Sequence, residues 1–238
     1  MSDVLQAMRD VVVANRILAR EGVVDAYGHV TVRHPDNPGR YLMSCSRAPE
    51  LVTLDDIMEF TLEGEPVDDS GRVPYAERFI HGAIYEKRPD VNSVVHNHSH
   101  AVIPFGVTGV KLRPIIHVGA SIGADIPVWD IRDRFGDTNL LVVDMEQGRD
   151  LADCLGGNRV ALMRGHGCAV AGGSHQQSTM TSVYLQVAAE LQAQAMRMGE
   201  VTYLSDAEIE HCSATFTSEI SVNRAWQYLR HRAGVSDL

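Results

Sequence analysis

Four side chains in this sequence have the types and spacing to hold a metal ion: Glu77, His96, His98 and His166. His96 and His98 lie two apart in Val-Val-His-Asn-His-Ser-His. In a strand, residues at that spacing face the same way, so both imidazoles can aim at one point. His166 follows in Met-Arg-Gly-His-Gly, just past an apolar run that reads as a strand. A carboxylate from a helix and a third imidazole from a strand-end loop would close a four-ligand nitrogen and oxygen site. Such a site suits zinc, manganese or iron(II) and keeps room for a substrate. Each residue also has an ordinary structural use. The chain holds eleven histidines, which fold-internal or surface hydrogen bonds can employ, and the helix dipole favours an acid in a first turn.

Positioning those groups falls to short elements. Val4, Met8, Val11, Val12 and Leu18 recur at helical spacing over residues 3–20, with Gly22 as a stop. Three β-rich pieces follow at 29–33, 41–44 and 57–61, the last running into an acidic turn at Glu63-Gly64-Glu65-Pro66. Pro74 opens a predicted helix to about Arg88, with Glu77 in its first turn. Residues 91–97, 140–143 and 160–163 are predicted buried strands. Ser174 with Gln177 forms a capping box for a long helix, whose apolar stripe of Met180, Val183, Tyr184, Val187 and Leu191 continues towards Met198. Ser205 with Glu208 repeats the box for a last helix over about 205–231. No linker, repeat or low-complexity tract interrupts 1–238, so a single α/β domain is expected, strands central and helices outside.

With 238 residues and 45% hydrophobic content the chain can bury one sizeable core. A net charge of −10 argues against nucleic acid or an anionic membrane as partner. Cys45, Cys154, Cys168 and Cys212 show neither close pairing nor metal-type spacing, which reads as reduced thiols in a cytoplasmic protein. Asp3, Arg9 and Asp10 exclude a secretory core near the N-terminus, and no apolar run is long enough to span a membrane.

The stretch Ala-Glu-Arg-Phe-Ile-His-Gly-Ala-Ile-Tyr-Glu-Lys-Arg-Pro-Asp-Val-Asn-Ser-Val-Val-His-Asn-His-Ser-His-Ala at 76–101, with Arg-Gly-His-Gly at 164–167, resembles the class II aldolase/adducin family. That group includes fuculose-phosphate aldolase and ribulose-phosphate 4-epimerase. The likeness runs from the first helix to about Gly199. It implies a central, mostly antiparallel sheet flanked by helices and one divalent metal ion per subunit, manganese or zinc foremost, iron(II) or cobalt otherwise. His96, His98 and His166 become the metal ligands; Glu77 is either a fourth ligand or the proton carrier. The resemblance further implies a homotetramer with active sites at subunit interfaces and the 205–231 helix at such an interface.

The phosphate-handling positions of the sugar-phosphate members do not match. Here they read Gly28-His29-Val30-Thr31, Ser44-Cys45-Ser46-Arg47 and Tyr75-Ala76-Glu77. An amide and small hydroxyls are thus replaced by His29, Arg47 and Tyr75, and a guanidinium offers two planar donors that fit a carboxylate. Ser-Arg-Ala-Pro-Glu at 46–50, His117 and Asn-Arg-Ala-Trp-Gln-Tyr at 223–228 look most like the family's metal-dependent aromatic decarboxylases, which act on hydroxypyridine-dicarboxylate or dihydroxyphthalate. The expected activity is therefore a lyase that decarboxylates a hydroxylated aromatic or heteroaromatic acid through a metal-stabilised enolate. His29, Arg47 and Tyr75 are candidates for the substrate carboxylates, and Trp226 and Tyr228 for walls of an aromatic pocket or an interface. His117 reads either as a catalytic gate or as a packed, hydrogen-bonded histidine. The alternatives are an aldolase or epimerase on a sugar phosphate or hydroxy-keto acid, an iron(II) oxygenase, and an adducin-like interaction domain.

Overall fold

The computed structural model describes residues 3–68 and 71–238. Its strands are β1 (His29–Arg33), β2 (Arg40–Ser44), β3 (Ile57–Thr61), β4 (Ser93–Asn97), β5 (Val128–Trp129), β6 (Val160–Met163) and β7 (Gly167–Gly172). Its helices are α1 (Asp3–Arg20), α2 (Arg78–Lys87), α3 (Ile103–Val107), α4 (Arg132–Phe135), α5 (Met145–Leu155), α6 (His175–Met198), α7 (Asp206–Phe216) and α8 (Glu219–Arg232). The strands form one seven-stranded sheet in the order β3-β2-β1-β4-β7-β6-β5, antiparallel except for the β5–β6 pair. This is the expected α/β architecture with a mostly antiparallel sheet.

Both faces of the sheet are covered, which explains why its strands read as near-continuous apolar runs. Val30, Val95, Leu162 and Val170 join Val11, Ile17 and Leu185 of α1 and α6 in one cluster. Tyr41, Met43, Val94, Ala161 and Ala169 join Ile80, Ile84 and Leu151 of α2 and α5 in the other. Alternation along β4 sends Val95 to the α1/α6 side and Val94 to the α2/α5 side. His96, two residues after Val94, therefore faces α2.

Three expectations are corrected. Residues 140–143 are not a strand: Leu140 takes a positive φ of 67°, and the Val142 and Val143 amides donate to Glu77 and Gln147 side chains. Their hydrogen bonds go to side chains, so no ladder forms. The helix expected from Pro74 begins only at Arg78, because residues 73–75 bond to the 46–47 loop. The single helix over 205–231 is two, α7 and α8, with Ser218 at the second N-cap.

Candidate metal centre

Glu77 occupies the N-cap position of α2, yet its carboxylate does not cap the helix. Instead its Oε1 accepts from the Val142 amide at 3.1 Å, delivered by the turn at Leu140. This tether points the carboxylate at the end of β4. His96 and His98 come up from that strand and the residue beyond it, and His166 from the tight turn between β6 and β7. Gly165 holds that turn at φ +67°. At Gly167 a Cβ would meet the Asn97 carbonyl at 2.1 Å and His98 Cδ2 at 2.9 Å, so only glycine lets the His166 turn approach the β4 end so closely.

The geometry fits a cation. One donor atom from each of Glu77, His96, His98 and His166 lies within 4.8 Å of the others. His96 Nδ1 lies 3.1 Å from the Cys168 carbonyl, which has no proton to give. The imidazole proton therefore sits on Nδ1, and Nε2 presents a bare lone pair to the cluster. That Nε2 is 3.0 Å from His98 Nε2 and 3.5 Å from Glu77 Oε2. His166 Nε2 is 3.5 Å from Glu77 Oε1, and both of its ring nitrogens are buried without a hydrogen-bond partner. Buried polar atoms normally find partners. An orphaned imidazole converging with two others and a carboxylate is the donor set of a zinc, manganese or iron(II) site.

Electrostatics favour the binding forms of Glu77, His96 and His98. Burial drives His96 well below the usual histidine range, Glu77 opposing and His166 and His98 reinforcing. His98 is lowered too, by burial and then by His166. Burial works against the Glu77 carboxylate, but His96, His166 and the Val142 amide outweigh it and bring the group to about 2. Neutral imidazoles and an ionised carboxylate are what a cation requires.

His29 sits opposite His96 in the β1–β4 register, so the two share a face. Its buried ring lies 5.1 Å from the His96 ring and 4.6 Å from that of Tyr75. The Tyr75 hydroxyl donates to the Arg47 carbonyl. The Arg47 side chain is half exposed, with Nε on the Leu51 carbonyl at 2.9 Å and Nη1 on Asp56 at 3.4 Å, which leaves Nη2 available. The chain of contacts Arg47–Tyr75–His29–His96 thus runs from the rim to the cluster. A cavity of about 210 Å³ opens beside His98, bordered by residues 22–25, His100, Ala101, Gln186 and Glu190. Asp25 and Glu190 make that side acidic.

The remaining candidates are brought elsewhere within this chain. His117 is exposed and packs edge-on against Phe216 of α7 at 5.0 Å. Trp226 is buried against His175, ring centroids 5.0 Å apart, and Tyr228 is 58% exposed beneath the Arg232 guanidinium. Three residues not singled out from the sequence join the site: His81, Thr31 and Tyr85, buried behind His29. Their one sequence signal is the i, i+4, i+8 stripe of Glu77, His81 and Tyr85, which places all three on one helix face.

Comparison with known proteins adds three findings. Residues 9–193 match the family model of the class II aldolase and adducin N-terminal domain. Decarboxylase tropJ of Talaromyces stipitatus is 36% identical over 203 residues, 80% of this chain and 76% of that protein, and the 3,4-dihydroxyphthalate decarboxylase of Arthrobacter keyseri is 27% identical over 208 residues, 81% of this chain and 80% of that one. Among solved structures, L-fuculose 1-phosphate aldolase from Glaciozyma antarctica PI12 superposes with a TM-score of 0.80 at 21% identity, covering 98% of this chain and 91% of that one.

Proposed function

The chain belongs to the class II aldolase and adducin family, and on that premise we propose that it is a metal-dependent lyase removing carbon dioxide from a hydroxylated aromatic or heteroaromatic acid. The observation that carries this reading is the convergence of three imidazoles and one carboxylate at the β4 end. The decarboxylases among its relatives support the reaction type.

His96, His98 and His166 would hold one divalent ion, manganese or zinc, with Glu77 beside it. When bound, that ion supplies Lewis-acid stabilisation of negative charge on the oxygen next to the breaking carbon–carbon bond. Glu77 moves the proton. Its Oε1 is tethered to Val142, and Oε2 faces the cluster, free to take the proton of the substrate's ortho hydroxyl and deliver it to the ring carbon that bears the leaving carboxylate. The carbon–carbon bond then breaks, carbon dioxide departs, the ring regains aromaticity, and solvent returns a proton to the hydroxyl oxygen. Arg47, through Nη2, receives a second carboxylate at the rim, with Tyr75 fixing its backbone. A homotetramer with α8 at the interface would bring Trp226 and Tyr228 near a neighbouring site, with His117 as gate. A cytoplasmic location accords with the reading of the cysteines as reduced thiols.

The test is carbon dioxide release from a panel of ortho-hydroxy aromatic dicarboxylates, with protein loaded in parallel with manganese, zinc, cobalt or iron(II). Release abolished by chelator is expected. No release from any member, with metal stoichiometrically bound, would overturn the decarboxylase reading in favour of aldol cleavage of an unphosphorylated hydroxy-keto acid.

A further inference from the structure

Behind the cluster, a file of buried polar groups leads away from His29 into the space between α2 and the sheet. His29 Nδ1 is 2.7 Å from His81 Nε2, His81 Nδ1 is 2.8 Å from Thr31 Oγ1, and Thr31 Oγ1 is 2.8 Å from the Tyr85 hydroxyl. His29 is 2% exposed and Thr31 and His81 not at all. Strand and helix geometry make the file. His29 and Thr31 lie two apart on one face of β1, and His81 and Tyr85 lie four apart on the facing stripe of α2.

The proton positions follow from its inner end. Thr31 Oγ1 has one proton and donates it to the Val94 carbonyl at 3.4 Å, an atom that can only accept. With that donation made, Thr31 accepts from both neighbours, an arrangement that puts the His81 proton on Nδ1. His81 Nε2 is thereby bare and accepts from His29 Nδ1. His29 is left with a bare Nε2. That atom has no hydrogen bond to any described residue, and it is not among the buried atoms sealed from solvent.

We propose that His81, held by Thr31, is a positioning residue that fixes His29 as its Nδ1–H tautomer, so that His29 offers an acceptor to the bound ring and selects a hydroxyl at that point rather than a carboxylate. This differs from the sequence-based expectation of His29 as a carboxylate binder, since a ring nitrogen presenting a lone pair repels an anionic oxygen. The substrate half of the inference rests on the proposed decarboxylation, whereas the tautomer half does not.

Two readouts separate them. In zinc-loaded, 15N-histidine-labelled protein without substrate, long-range 15N–1H correlation assigns the proton of His29 directly. Nδ1–H is expected in the wild type and in His81→Gln, whose amide oxygen can accept from His29 while its NH2 donates to Thr31. His81→Leu should release that preference. An Nε2–H tautomer in the wild type overturns the inference whether or not the protein turns over any acid. Binding to the same protein is then compared for an aromatic acid with a free ring hydroxyl outside the chelating pair and for its methyl ether. The wild type should prefer the hydroxyl by roughly tenfold, about the worth of one buried hydrogen bond. His81→Gln should keep that ratio, and His81→Leu should bring it near one. Equal ratios in all three proteins would remove His29 from substrate selection. Failure of the proposed reaction alone would appear instead as absent carbon dioxide release with the Nδ1–H tautomer intact.

Discussion

Lowering the pH should destabilise the metal-free protein well before its carboxylates titrate. His29, His81 and His96 are buried, and burial, the largest influence on each, drives them below the ordinary value of 6.5, His81 to about 3. Released on unfolding, each regains that ordinary value and takes up a proton that the native state refuses. Stability is therefore fully present above about pH 6.5 and falls as the pH drops below it. Between pH 7.5 and 5.5 one such imidazole costs about 1.4 kcal/mol, and three cost roughly 4 kcal/mol. That is a large part of the ~5–15 kcal/mol by which domains are stable. Glu77, depressed to about 2, has the opposite character. Its contribution is present above its unfolded value and is lost only as the pH falls from there towards 2, so it stays constant across this window. The assay is urea unfolding in excess chelator at pH 7.5, 6.5 and 5.5, with the denaturant slope checked for constancy. His81→Gln should shrink the loss by about 1.4 kcal/mol, one group's share. A free energy flat to within about 1 kcal/mol over the window would mean that all three buried imidazoles are charged in the native state, and the neutral-donor account of the cluster would fail with it.

Other substitutions probe single parts of the site. His166→Ala removes a ring whose nitrogens bond to nothing, so metal content by mass spectrometry should collapse while thermal stability of the chelated protein changes by less than about 1 kcal/mol; retained metal would strike His166 from the ligand set. Glu77→Gln keeps an oxygen for the Val142 amide but loses the charge, and should cut turnover at least about 100-fold at near-normal metal occupancy; loss of the metal instead would make Glu77 a ligand first. Arg47→Ala should raise KM for a dicarboxylate roughly tenfold without altering metal content; an unchanged KM would reduce Arg47 to a clamp on Leu51 and Asp56. Gly167→Ala should destabilise by more than about 3 kcal/mol, read as a fallen unfolding midpoint, because its Cβ has no space beside the Asn97 carbonyl; a wild-type midpoint would refute the close approach.

The parts legible in the sequence were those with a repeating physical signature. His96 and His98 announce themselves by strand spacing, β1 to β3 by β-branched and aromatic content, and α6 by its Ser174 N-cap and stripe, although the Gln177 side chain of the expected capping box accepts from the Gly173 amide instead. Residues 140–143 carry the same apolar signature as a strand, and only the distant Glu77 and Gln147 side chains divert their amides. β7 escaped notice for the converse reason. Gly-Cys-Ala-Val-Ala-Gly has little β character, yet small residues are needed there, since at Gly172 a Cβ would meet the Ser178 amide nitrogen at 2.8 Å. The stripe of Glu77, His81 and Tyr85 marks the helix face of His81 but not its role, because its partners come from β1, and register between strand and helix is not written in either segment alone.

The division of the proposed ligands between β4 and the β6–β7 turn would also govern when a cation can take hold during folding. His98 and His166 are far apart in the chain and meet only after the antiparallel β4–β7 pairing has closed the long loop between them. Pairings between such distant segments form late, since loop-closure entropy must be overcome first. Unlike a zinc finger, whose neighbouring ligands gather an ion to nucleate the fold, this chain assembles its socket near the end of the process. Its ion would accordingly do little to hasten folding and much to slow unfolding, so its main gift to the protein would be lifetime.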